Sequence, residues 1–260
     1  MSNYQNRFGG IQRLYGTQAL NKFQQSHICV IGIGGVGSWV VEALARSGIG
    51  QITLIDMDDI CVTNTNRQVH ALTNTIGEMK IEAMANRCRL INPDIKLNLI
   101  DDFIDKENCF EYLSSEFDYI FDAIDSIKAK VALIAHCKRN KYPLLTSGGA
   151  GGQLDPTQIQ VADLARTVQD PLASKVRSEL RRFFNFSKNP KRKFSVDCVF
   201  STEQLSYPDQ QGEVCQQKSE SDGNMKMDCA TGFGASTMVT ASFGFVGSAY
   251  MLKKIAQKGR

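Results

Sequence analysis

Residues Ile28-Cys29-Val30-Ile31-Gly32-Ile33-Gly34-Gly35-Val36-Gly37, then Trp39-Val40-Val41-Glu42-Ala43-Leu44-Ala45-Arg46 and Ile52-Thr53-Leu54-Ile55-Asp56, decide the fold. The opening apolar run reads as a short buried strand. The glycines Gly32, Gly34, Gly35 and Gly37 follow at once, and the next stretch has helical spacing. A second apolar run ends in an acid, Asp56. Strand, glycine turn, helix, strand and acid in that order form a nucleotide-binding βαβ unit. Glycines let the backbone approach a phosphate at a helix N-terminus, where unpaired N–H groups favour negative charge. This unit alone leaves NAD, FAD and ATP open.

Further strand-like runs occur at Lys96–Ile100, Tyr119–Phe121 and Tyr142–Thr146, with helical stretches at Lys80–Asn92 and Ala129–Asn140 between them. Such alternation argues for an α/β chain with a Rossmann-like, mainly parallel sheet covered by helices on both faces. A chain of 260 residues is long enough for one large α/β domain or two small ones. We expect a single domain: an N-terminal arm over 1–27, a nucleotide-binding core over 28–165, a basic and polar insert over 166–228, and a C-terminal apolar segment over 229–260. Ser147-Gly148-Gly149-Ala150-Gly151-Gly152 reads as a tight loop near the nucleotide, with a plain connector as the alternative.

Apolar content of 42% and a net charge of +3 imply no partner by themselves. Eight cysteines are scattered with no CxxC pair and no visible signal peptide. The expectation is reduced thiols in a cytoplasmic protein, without a zinc site of two CxxC pairs. Local charge is more telling. Lys175, Arg177, Arg181, Arg182, Lys188, Lys191, Arg192 and Lys193 crowd around a single acid, Glu179, with Phe183, Phe184, Phe186 and Phe194 interleaved. This suits either contact with a nucleic-acid backbone or a solvated helix face and loop. Residues 229–252 carry no charge and are long enough to span a bilayer. Their many small residues favour a buried helix packed on the sheet, with membrane association as the alternative.

After Asp56 the sequence continues Met57-Asp58-Asp59-Ile60-Cys61-Val62-Thr63-Asn64-Thr65-Asn66-Arg67-Gln68, with Gly77-Glu78-Met79-Lys80 and Asp122-Ala123-Ile124-Asp125 further on. These resemble the markers of the ubiquitin-activating-type (E1-like) adenylating superfamily. Cations beside a reacting phosphate suit ATP cleavage better than hydride transfer. Arg7-Phe8-Gly9-Gly10, Arg13-Leu14-Tyr15-Gly16, Val196–Ser201, Met227–Gly234 and the Thr-Asn-Thr-Asn-Arg-Gln variant narrow the resemblance. Together they are similar to the bacterial tRNA threonylcarbamoyladenosine dehydratases, over nearly the whole chain.

That resemblance implies an E1-like adenylation domain that activates the threonine carboxylate of N6-threonylcarbamoyladenosine in tRNA with ATP. An intramolecular ring closure would follow, with AMP and pyrophosphate released. It implies a glycine turn (Gly32, Gly34, Gly35, Gly37) beside the phosphates, Asp56 on the ribose with Asp58 as the paired acid, and Asn64 and Arg67 facing phosphates. Lys80 would stand near the α-phosphate and Asp125 would hold Mg2+. Arg13 would reach into a neighbouring subunit's site, hence a homodimer. Further implications are tRNA contact through the basic segment, a monovalent cation near the glycine loop, and a sulfur-transfer protein pair as partner. The competing reading is an activator of a sulfur-carrier or ubiquitin-like protein. Cys198 and Cys229 lie in family motifs, but no sequence feature marks a reactive thiolate.

Overall fold

The computed structural model describes residues 3–208, 213–215 and 233–258. Helices α1 (Asn3–Tyr15) and α2 (Thr17–Gln25) form the N-terminal arm. The core then runs β1 (His27–Ile31), α3 (Gly37–Arg46), β2 (Gln51–Ile55), α4 (Lys80–Ile91), β3 (Lys96–Ile100), α5 (Cys109–Tyr112), β4 (Tyr119–Asp122), α6 (Ile127–Asn140) and β5 (Leu144–Ser147). Next come β6 (Ile159–Asp163), α7 (Pro171–Phe183), β7 (Asp197–Ser201), a small hairpin of β8 (Tyr207–Pro208) and β9 (Val214–Cys215), and α8 (Thr237–Gln257).

The main sheet has the order β3-β2-β1-β4-β5-β7-β6. Its pairs are parallel except β6 with β7. Central strands are covered on both faces, which is why Ile28-Cys29-Val30-Ile31 is buried throughout rather than alternating. One core packs Val40, Val41 and Leu44 of α3 with Phe243 and Met251 of α8; the other packs Leu133 and Ile134 of α6 with Val176 and Leu180 of α7.

Part of the segment over 166–228 joins the main sheet. Its strand β7 sits between β5 and β6, pairing Thr146 with Cys198 and Val161 with Val199. The uncharged C-terminal stretch yields α8, which lies on α2, α3 and the sheet with Val239, Phe243, Met251 and Leu252 buried. No helix among the described residues is long and apolar enough to cross a membrane.

Strand order reverses at β1, whose neighbours are β2 and β4. In open α/β sheets the crevice beyond the strand C-termini at such a reversal is where ligands bind.

Candidate active site

A cavity of about 600 Å3 opens over the C-terminal ends of β1, β2, β4 and β5. On one side lie Gly32, Gly34 and Gly35, the turn that joins β1 to α3. Gly37 stands behind them as the first residue of α3; a Cβ there would overlap the carbonyl oxygen of Gly32. No side chain caps α3; the N–H groups of Ser38, Trp39 and Val40 bond back to Gly34 O and Val36 O, and the glycine backbone ahead of them faces the cavity.

The expected charged residues converge on that turn. Asp56, Asp58, Asn64, Arg67, Lys80 and Asp125 all line the cavity. Asp56 accepts the N–H of Ile33 at 2.6 Å through one oxygen and that of Asp58 at 2.9 Å through the other. Burial pushes its carboxyl above the ordinary carboxylate value, opposed by Lys80 and by those two N–H groups. Lys80 opens α4 with Nζ 2.5 Å from Asp58 Oδ2 and 3.8 Å from Asp56 Oδ1. Two carboxylates thus hold a buried ammonium at the cavity wall.

Arg67 is also buried, and its guanidinium donates to Thr63 O at 2.8 Å and Asn66 Oδ1 at 3.1 Å. Its own carbonyl accepts Trp39 Nε1 at 3.0 Å and the Thr240 hydroxyl at 3.2 Å. The loop carrying the cation is therefore anchored from both α3 and α8. Asn64 Oδ1 closes its turn by accepting Cys61 N–H at 3.0 Å, and Asp125 stands exposed beyond β4. Arg13 is exposed on α1 and is not among the residues that line this chain's cavity.

The ThiF family accounts for residues 6–259. The chain belongs to the ThiF family.

Among its relatives is the tRNA threonylcarbamoyladenosine dehydratase of Escherichia coli (strain K12), 59% identical over 255 residues, which cover 98% of this chain and 95% of that protein. A crystal structure of the E. coli enzyme, TcdA, in complex with ATP superposes with a TM-score of 0.87 at 55% identity, covering 98% of this chain and 96% of that one. The same enzyme in complex with AMP gives a TM-score of 0.86 at 55% identity, with the same coverage.

Cysteine chemistry finds no support at Cys198 in this ThiF-family chain. Cys198 is buried in β7, where loss of solvent pushes its thiol well above the ordinary value. Cys229 lies outside the described residues. The basic segment divides once its partners are known. Arg177 bonds Thr167 Oγ1, while Arg181 donates to Ser187 O and lies over the Phe194 ring at 5.2 Å. These two are half-buried and engaged within the fold, whereas Lys175, Arg182, Lys188, Lys191, Arg192 and Lys193 are exposed.

The cavity also contains residues that sequence reasoning did not select, notably Phe103, Ile104, Leu172, Leu205 and Thr240. Position was the available signal for Phe103 and Ile104, since they follow the C-terminal end of β3, where ligands of such sheets sit. The others reach the cavity through long-range packing.

His70 supports the turn from below. Its Nε2 lies 2.9 Å from Ile33 O, so Ile33 is held at both ends, by Asp56 at N–H and His70 at C=O. Burial lowers the His70 pKa to about 4. Because the folded value lies below the ordinary one near 6.5, the unfolded chain takes up a proton first as pH falls. Stability contributed by neutral His70 is then complete above about pH 6.5 and is lost between there and about pH 4, by roughly 3 kcal/mol. Urea unfolding of His70→Gln beside the wild type should show a shallower fall across that window; parallel curves would contradict this assignment.

Proposed function

We propose that this chain carries out the ATP-dependent dehydration of N6-threonylcarbamoyladenosine in tRNA. What supports the reading most is the convergence of Arg67, Lys80 and the glycine turn before α3 on one cavity, in a chain 59% identical to an enzyme of that name. A free carboxylate is a poor electrophile and must be activated before it can be condensed. In this reading Asp56 accepts the ribose hydroxyls of ATP, and the glycine turn, Asn64 and Arg67 receive its phosphates. Lys80 neutralises charge that builds on the α-phosphate.

A threonine carboxylate oxygen bonds to the α-phosphorus as the bond to the β-phosphate breaks, and pyrophosphate leaves. An atom of the carbamoyl group then bonds to the activated acyl carbon, AMP departs with the former carboxylate oxygen, and the net change is loss of one water. The attacking atom is tethered to the carbon it attacks, so proximity supplies much of the rate and no enzyme nucleophile is needed. Mg2+ is assigned to Asp125. Among the described residues no group of three or more His, Cys, Asp and Glu could hold a metal. One carboxylate with phosphate oxygens is the arrangement Mg2+ commonly takes with nucleotides.

Incubating threonylcarbamoyl-modified tRNA with the protein, ATP and Mg2+, then digesting it mildly, tests this reading. Mass spectrometry should show ATP-dependent loss of one water from the modified adenosine. An unchanged nucleoside with folded protein would reject it.

For tRNA contact we assign the exposed cations of α7 and the following loop. Replacing Arg182, Lys188, Lys191 and Arg192 together by glutamine should weaken tRNA binding and flatten its salt dependence. The slope of log affinity against log salt should fall by about 2 to 3, at about 0.7 per released counterion on single strands. An unchanged slope would put the tRNA elsewhere. We assign Arg13 to the site of a second copy in a homodimer. Mixing inactive Arg13→Ala with inactive Lys80→Ala should then restore activity, because one of the mixed sites has both residues intact. A mixture that stays inactive despite subunit exchange argues against that arm.

A further inference from the structure

The cavity follows the order of the strands beneath it. Beyond β3 and β2 stand Phe103, Ile104 and Asp56; beyond β1 and β4 stand the glycine turn and Asp125. In the function proposed above ATP takes this stretch, its ribose at Asp56 and its phosphates at the turn, which leaves the apolar pair Phe103 and Ile104 for its base. The remaining end, over β5 and β7, is different in kind. Gly148–Gly151, Leu172, Leu205 and Phe233 line it, and no charged side chain among the described lining residues belongs to it.

Phe233 is seated there by a purpose-built support. Gly152 has φ of +74°, and a Cβ on it would lie 2.7 Å from Phe233 Cδ1; one on Gly151 would lie 3.0 Å from Phe233 Cβ. A side chain at either position would push the ring off its seat. Gly152 N–H donates to Gly234 O at 2.7 Å, and Ser206 N–H donates to Gly152 O at 2.8 Å. The Tyr207 ring supports the Phe233 ring at a centroid distance of 5.1 Å. On the other flank Asn66 Nδ2 donates to Ala235 O at 2.7 Å and the Thr237 hydroxyl to Asn66 O at 2.6 Å. One strap of chain is thus fastened to the β5 glycine loop and, beside Arg67, to the phosphate site.

We propose that Phe233 is the platform on which the adenine of the tRNA nucleotide under modification stacks. This inference rests on the function proposed above and adds the subsite for its second substrate. An uncharged, flat, rigidly backed surface suits a purine face, and unpaired RNA bases are commonly held by stacking on aromatic side chains. Charge again favours this end: with ATP's anionic groups drawn to Arg67 and Lys80, the neutral base takes the apolar end and its threonine carboxylate points back toward the cations. From β5 to β1 is two strand spacings, about 10 Å, which the base edge and its threonylcarbamoyl arm bridge. Helix α7 serves both ends of the contact, with Leu172 of its first turn at the cavity and Arg182 exposed in its last turn.

Steady-state kinetics of Phe233→Ala and Phe233→Trp test the platform. For Phe233→Ala the KM for modified tRNA should rise about 5- to 100-fold, the range that loss of one stacked base produces. Its affinity for ATP should stay within twofold of wild type. Phe233→Trp keeps an aromatic face, and its extra tryptophan emission should be quenched by free threonylcarbamoyladenosine nucleoside, a readout that stands even if the alanine variant fails to fold. An unchanged tRNA KM in Phe233→Ala, equal losses for ATP and tRNA, or an unquenched tryptophan would overturn the platform. If the wild type itself leaves modified tRNA unchanged, the proposed function falls, and the platform for this base falls with it.

Discussion

Replacing Arg67 by alanine is expected to lower kcat/KM for the dehydration by about 10^3-fold, the scale of losing one preorganised charge at a reacting centre. The structure makes this a test of chemistry rather than of folding. Arg67 is anchored through its backbone carbonyl, which Trp39 and Thr240 keep regardless of the side chain. Among the described residues the guanidinium bonds within its own loop, to Thr63 O and Asn66 Oδ1. Lys80→Ala should produce a loss of similar size, since Lys80 Nζ is the ammonium held between Asp56 and Asp58. In both variants the circular dichroism spectrum should be unchanged. Single-turnover assays check the claim, and activity within tenfold of wild type in either variant would remove that cation from the reaction.

Lys130→Met is expected to destabilise the fold by about 3–5 kcal/mol, because it strands a buried charge. Asp122 and Lys130 are both essentially inaccessible, with Lys130 Nζ 2.8 Å from Asp122 Oδ2 and 3.1 Å from the Thr146 hydroxyl. Asp122 also accepts the N–H of Ile124 at 3.0 Å, which fixes the turn leading to Asp125. Deleting the lysine leaves a carboxylate that must stay ionised at a cost or take up a proton. The double variant Lys130→Met, Asp122→Asn should regain much of the loss, since no charge then remains unpaired. Urea denaturation decides the matter; a single variant within 1 kcal/mol of wild type would show that the pair carries little.

Which parts of this molecule could be read from the sequence follows from how local each signal is. The glycine turn, Asp56, Arg67, Lys80 and Asp125 lie in short motifs attached to strand ends, and all but Gly37 of the selected pocket residues line one cavity. Strand β7 escaped notice because its place between β5 and β6 depends on pairing with distant segments. Lys130 looks like any lysine on a helix until β4 and β5 enclose it. Phe233 acquires meaning only where Gly151 and Gly152 receive its ring. Composition identified the basic stretch but not the direction of its side chains. Arg177 and Arg181 carry the same charge as Arg182, yet Thr167, Ser187 and Phe194 engage them within the fold. Cys198 shows the reverse case, a family-motif residue buried in β7, where loss of solvent pushes its thiol up and disfavours the thiolate.

Oxygen tracing follows the adenylated carboxylate itself. Modified tRNA would be prepared with 18O in both oxygens of the threonine carboxylate and incubated with the protein, ATP and Mg2+ to a single turnover. If the carboxylate attacks the α-phosphorus, one 18O atom appears in the phosphate of AMP for each modified adenosine that loses water. Label found in inorganic phosphate together with ADP, or in solvent water alone, would contradict the mechanism.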